Sequence, residues 1–161
     1  MDYPQAALRS ISSLLDEKFF IPSYQRGYRW TDIQVTELLD DLWQFQRESD
    51  GMRSGHFYCL QPLVIKARED GSWEVVDGQQ RLTTIFLILA AEKQRVELIF
   101  GKTSFELVFE TRAETSESFL KEIDLTRAEE NIDFYHISKA YEAIRKWFSV
   151  RDGSQVVKLF Q

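Results

Sequence analysis

Apolar residues first recur at helical spacing at Ala7, Leu8, Ile11, Leu14 and Leu15, which predicts an opening helix. Phe19-Phe20-Ile21 is a short apolar run closed by Pro22 and reads as a strand. Thr31 followed by Gln34 is a capping-box pattern. It predicts an amphipathic helix carrying Val35, Leu38, Leu39, Leu42 and Trp43, followed by a loop over 49–55. Phe57 to Lys66 is strand-like, and Pro62 inside it points to an edge strand or a bulge. Asp70-Gly71 is a tight-turn dipeptide that joins this run to Trp73–Asp77, giving an antiparallel hairpin. After Gly78 the period changes: Leu82, Ile85, Phe86, Leu89 and Ala90 predict a buried helix to about Gln94, and Gly101 breaks the pattern. Phe105, Leu107 and Phe109 alternate as in a half-buried strand. Helices follow near 115–124 and 132–149, the second with Ile137, Ala140, Tyr141, Ile144, Trp147 and Phe148 on one face. The fold class is therefore α+β (mixed α/β): a small sheet surrounded by helices.

Length and composition narrow the function. The 161 residues suit a single domain, 1–161, and 43% apolar with 14% aromatic content supplies a core. Twenty Lys and Arg against 26 Asp and Glu leave a net charge of −6, unsuited to bulk electrostatic binding of nucleic acid but compatible with a local basic patch. A lone cysteine, Cys59, excludes an internal disulfide framework and reads as a buried small apolar side chain. His56 and His136 lie far apart, which argues against zinc. No apolar run approaches the roughly 20 residues of a membrane span, and the start MDYPQAALRS lacks a secretion-signal pattern. The expectation is a soluble, cytoplasmic protein without membrane partners. The apolar end VVKLFQ suggests the N-terminal fragment of a longer protein.

The most informative stretch is Val75-Val76-Asp77-Gly78-Gln79-Gln80-Arg81-Leu82-Thr83-Thr84. A strand ends in a carboxylate, Gly78 permits a sharp bend and close approach, and a helix starts at once. The first N–H groups of such a helix lack partners and carry partial positive charge, which makes an anion site. Arg81 can add a bidentate phosphate contact. Thr83 and Thr84, read as first-turn residues, offer hydroxyls to a phosphate or a metal-bound water. Asp77 can coordinate Mg²⁺ or orient a water, or it can simply cap the helix. Gln79-Gln80 favours a ligand, since two successive amides give little packing benefit. Gly101-Lys102-Thr103 looks like the end of a phosphate loop, but the required earlier glycine is Val96 and a strand follows, so it is rejected.

A second constellation is Ile21-Pro22-Ser23-Tyr24-Gln25-Arg26-Gly27-Tyr28-Arg29-Trp30, with no acid between Lys18 and Asp32. Interleaved arginine and aromatics can hold phosphates and stack bases. Taken alone, Tyr24, Tyr28 and Trp30 read as core, and Arg26 and Arg29 as ligand contacts.

IPSYQRGYRW followed downstream by VVDGQQRLTTIFLI resembles the DGQQR-motif family, the N-terminal domain of GmrSD-type restriction endonucleases, and more distantly the ParB/sulfiredoxin superfamily. HFYCLQPLVIK, LVFETRAETSESFLKEI and NIDFYHISKAYEAIRKWF extend the resemblance from about Ile11 to Phe148. It implies a ParB/sulfiredoxin-like sheet with a nucleotide pocket at the DGQQR turn. The implied activity is binding and hydrolysis of a nucleoside triphosphate, with Mg²⁺, in a protein that senses modified DNA for phage defence. Asp77, Gln80 and Arg81 are the implied catalytic residues, with Asp77 on the metal. Gly78, Gln79, Gln80, Arg81, Tyr24, Gln25 and Arg26 are the implied nucleotide contacts, joined by Thr83 and Thr84. Tyr28, Arg29 and Trp30 are assigned to DNA. A C-terminal His-Asn-His-type nuclease is expected in the full-length chain, and no such signature surrounds His56 or His136. The alternative is a non-hydrolysing DNA-binding or scaffold module that uses the pocket as a nucleotide switch. Oligomers are compatible with either reading.

Overall fold

A computed structural model describes residues 6–50 and 55–161. Four strands, β1 (Lys18–Ile21), β2 (Val64–Ala67), β3 (Trp73–Asp77) and β4 (Glu106–Phe109), form one open mixed sheet in the order β2-β3-β1-β4. The described helices are α1 (Asp32–Ser49), α2 (Gln79–Ala91), α3 (Lys93–Phe100), α4 (Ala113–Lys121), α5 (Ile132–Ser149) and α6 (Gly153–Leu159). The α+β class is as predicted.

β1 is the pivot of the sheet. It pairs in parallel with β3 on one side and with β4 on the other. The carboxyl ends of these three strands therefore lie along one edge of the sheet. The Pro22–Trp30 segment leaves β1 there, the Asp77–Arg81 turn leaves β3, and Thr111–Arg112 leaves β4. In open α/β sheets the crevice beyond such strand ends, where the connections diverge, is the usual ligand position.

Phe19, Ile21, Val75 and Leu107 are buried on one face of the sheet. Phe105 locks this layer to α2 through Phe19, edge-on at 5.3 Å, and Phe86 at 5.8 Å. α2 is buried from Leu82 to Leu89, as befits a helix that is apolar all round. α5 covers it with the face read from the sequence, Tyr141 alone being only partly buried.

The predicted hairpin is present, with Asp70 Oδ1 accepting from Ser72 N–H at 3.0 Å and Gly71 at φ 81°. β2 is the edge strand, and a register shift sits at Val64/Ile65. The capping box opens α1: Gln34 Oε1 accepts from Thr31 N–H at 2.7 Å.

Four readings change. The opening helix is only a 3-10 turn, Ile11–Leu14. Ser10 and Ser13 compete for the backbone there, Ser10 Oγ accepting from Ser13 N–H and Ser13 Oγ donating to Ser10 O at 2.7 Å. Residues 57–63 of the predicted strand are irregular, with Pro62 unable to donate to a ladder. The helix after Gly78 stops at Ala91, where Glu92 leaves helical geometry and pairs with Arg95, and α3 continues to Gly101 at φ 72°. The helix placed at 115–124 starts two residues earlier, at Ala113, and stops at Lys121. VVKLFQ lies largely within α6, begun by the Asp152 cap and packed through Val156 and Phe160. Of the predicted 49–55 loop, residues 51–54 lie outside the described residues.

Candidate nucleotide site

β3 ends at Asp77 and α2 begins at Gln79, so one residue must reverse the chain. Gly78 does so at φ 93°, in the left-handed region that favours glycine. A Cβ there would lie 3.2 Å from both Leu63 Cδ1 and Pro62 O. The close approach anticipated at this glycine is thus made by the chain itself.

No side chain caps α2. Leu82 N–H is the first to bond within the helix, to Gly78 O at 3.0 Å. The N–H groups of Gln79, Gln80 and Arg81 stand at the positive end of a 13-residue helix without a capping side chain. Asp77 is exposed, and its Oδ1 accepts only the adjacent Gly78 N–H at 2.9 Å. It does not cap the helix and keeps free lone pairs.

This turn forms one wall of a cleft of about 1030 Å³. Trp30 and Arg81 lie on that wall, with the guanidinium 5.6 Å from the indole centroid. The irregular 57–63 segment also lines the cleft, with Phe57 largely exposed. Tyr58 donates to Asp41 at 3.4 Å; desolvation and the Asp41 charge raise its pKa, while Arg81 opposes the shift. Cys59 is exposed and lines the cleft, correcting its assignment to the core. Its segment passes close to Gly78 at Pro62 and Leu63.

The two glutamines bind the protein's own chain. Gln79 Nε2 donates to Arg26 O, and Gln80 Nε2 donates to Gly27 O at 2.9 Å. Gln80 Oε1 accepts Arg29 N–H at 2.8 Å. Tyr28, fully buried, shares a 2.8 Å hydrogen bond with Thr84 Oγ1, and its burial raises the phenol pKa. Gln25 Nε2 donates to Val75 O and Val76 O at 2.5 and 2.9 Å. The two motifs that are separate in sequence are therefore one hydrogen-bonded unit. Gln79 Oε1 is buried with no partner in this unit, an acceptor left for a donor or a cation.

The remaining assignments divide. Gly78, Gln79, Gln80, Arg81, Gln25, Arg26 and Trp30 all line the cleft with Asp77. Thr83 and Thr84 do not: α2 starts at Gln79, so they fall in its second turn, fully buried and facing inward. Tyr24 is 70% exposed and donates to Glu74 at 3.2 Å, away from the core in which its aromatic character placed it. Arg29 is committed internally, Nη1 donating to Asp133 Oδ1 and to Tyr28 O, both at 2.6 Å. Arg26 is exposed and its guanidinium has no partner among the described residues. The roles of Tyr58 and Asp133 had no sequence signal beyond a paired aromatic and a helix-start acid.

Among the described residues no group of three or more His, Cys, Asp or Glu converges as a metal site. Asp77 alone fits a Mg²⁺ ion that arrives with phosphate oxygens, the usual arrangement for this metal. No described helix is long and apolar enough to cross a membrane. A family model described as the N-terminal domain of GmrSD restriction endonuclease matches residues 10–161. No curated protein matches the chain.

Proposed function

Because the chain belongs to the family of GmrSD restriction endonuclease N-terminal domains, and so derives from proteins that act on DNA, we propose that it binds and hydrolyses a nucleoside triphosphate in the large cleft. In this reading it is the sensor of a modification-dependent defence nuclease, with a His-Asn-His-type nuclease in the full-length protein. The observation that carries the reading is the uncapped start of α2 opening on the cleft beside Arg81.

The N–H groups of Gln79, Gln80 and Arg81 hold terminal phosphate oxygens. The Arg81 guanidinium, braced against Trp30, stabilises the charge that builds on the transferred phosphoryl group. The Asp77 carboxylate faces the metal or the attacking water. Mg²⁺ supplies charge neutralisation across the phosphates when bound. Gln80 acts as a positioning residue, since both ends of its amide hold the 27–29 backbone.

The test is magnesium-dependent phosphate release by wild type and Arg81→Ala, with circular dichroism to verify the fold. The expected loss in turnover is about 10²–10³-fold, the scale for removing one charge-stabilising donor. Unchanged turnover in the folded variant sinks the assignment. The internal use of both glutamines favours a second reading, a nucleotide switch without hydrolysis. Tight triphosphate binding with no phosphate release, with or without modified DNA, selects it.

A further inference from the structure

The sheet buries Phe19, Val75 and Leu107 on one face, and strand alternation turns their neighbours to the other. The register sets Lys66, Glu74, Phe20 and Val108 side by side across that second face, with Lys18 beside Glu106. No described helix buries this face: Lys18, Lys66, Val76 and Glu106 are exposed, and Phe20, Glu74 and Val108 are only half-buried. Its charges fall in stripes. β2 carries Lys66 and β3 carries Glu74. β1 carries Lys18 together with the Arg68 guanidinium, which lies 3.8 Å over Phe20. β4 carries Glu106 and leads into Glu110. In the strand order β2-β3-β1-β4 the signs therefore run positive, negative, positive, negative. Lys18 and Glu106 pair at 3.6 Å and Arg68 reaches Asp70 at 3.2 Å, whereas Lys66 has no ion-pair partner among the described residues.

We propose that this face docks a second copy of the chain, sheet against sheet, about a two-fold axis running along the strands between β3 and β1. That rotation sets β2 of one copy over β4 of the other and β3 over β1, so each positive stripe meets a negative one. Sheets stacked face to face keep their strands nearly aligned, about 10 Å apart. Val76 and Val108 supply apolar contact between the stripes. The mixed signs argue against nucleic acid as the occupant, since a phosphate backbone needs an excess of cations. Approach along the β2 edge is disfavoured by the register shift at Val64/Ile65, which leaves the face as the way in. Four short strands offer less than the roughly 800 Å² per partner of a standard interface, so the dimer is weak and reversible. The nucleotide cleft is lined by Phe19, Ile65 and Trp73, on the other side of the sheet, so the proposal does not rest on the triphosphate reading.

The experiment is sedimentation equilibrium of the chain from about 10 µM to about 1 mM, the range in which a small interface is read. The weight-average mass is expected to rise from one chain towards two, and high salt should oppose the rise, since exposed complementary charges are screened. Lys66→Glu and Glu106→Lys, each alone, set like charges against each other and should weaken association about tenfold or more, because each contact occurs twice in the dimer. The double variant should restore it. β2 and β4 lie three strand spacings apart, about 14 Å, so these two side chains cannot pair within one chain and only a second copy can supply the rescue. Circular dichroism verifies that the variants fold. A monomer throughout the range, association indifferent to the single substitutions, or a double variant no better than the singles would overturn the proposal.

Discussion

Gly27 shows how much one missing methyl group decides. A Cβ at this position would overlap the Asp133 carboxylate and press on Arg29 Nη1 at 3.0 Å. Gly27→Ala is therefore expected to push the Arg29–Asp133 pair apart and destabilise the fold by about 1–3 kcal/mol, the range for overpacking a tight site; urea unfolding measures it. The site was legible in the sequence where chemistry and backbone coincide, at Asp77, Gly78 and Arg81. It was not legible where orientation depends on register. Thr83 and Thr84 look like ligand hydroxyls because they follow Gly78 closely, but as the fifth and sixth residues of α2 they lie in its second turn, and neighbouring elements bury both. The glutamines looked free because their partners lie more than 50 residues away in sequence.

The connection between β1 and α1 is held chiefly by the start of another helix. Gln80→Ala leaves Arg29 N–H and Gly27 C=O without their partners. A loss of about 1–3 kcal/mol is expected if both become unsatisfied. Faster amide exchange confined to residues 25–30, read by hydrogen–deuterium exchange, would separate this from global loosening. At this scale the hairpin and α5 could be read directly, because period and turn chemistry agree there. The opening segment could not, since Ser10 and Ser13 divert the hydrogen bonds that its apolar spacing calls for. Residues 57–63 have strand composition, but their path over Gly78 makes them a cleft wall. The break at Glu92 falls inside an unbroken helical pattern and is visible only in three dimensions.

Over the whole molecule, hydrogen bonds and ion pairs lower several carboxylates. Glu17 is held low first by the Trp73 indole N–H at 2.9 Å, and also by Arg9. Asp70, Glu110, Glu117, Asp124, Glu130 and Asp152 shift the same way. A lowered carboxylate contributes stability above its unfolded pKa and loses it as pH falls through the folded value. The melting temperature should therefore stay level near neutrality from these groups and fall below about pH 4. Glu17→Gln should shrink that acid decline in a thermal-melt series. With a net charge of −6, DNA contact needs a local cation, and Arg26, exposed beside the cleft, is one candidate without an ion-pair partner among the described residues. Arg26→Glu should weaken DNA binding and reduce the magnitude of the log–log salt slope by about 1 for the lost phosphate contact. β2, finally, is exposed along its length, Val64 and Ile65 included. The irregularity between those two residues and the ammonium group of Lys66 break up the outward ladder that a neighbouring molecule would need to extend the sheet. The rim most inviting to fibrillar stacking thus carries its own deterrent, and Lys66→Val should promote aggregation before it alters folding.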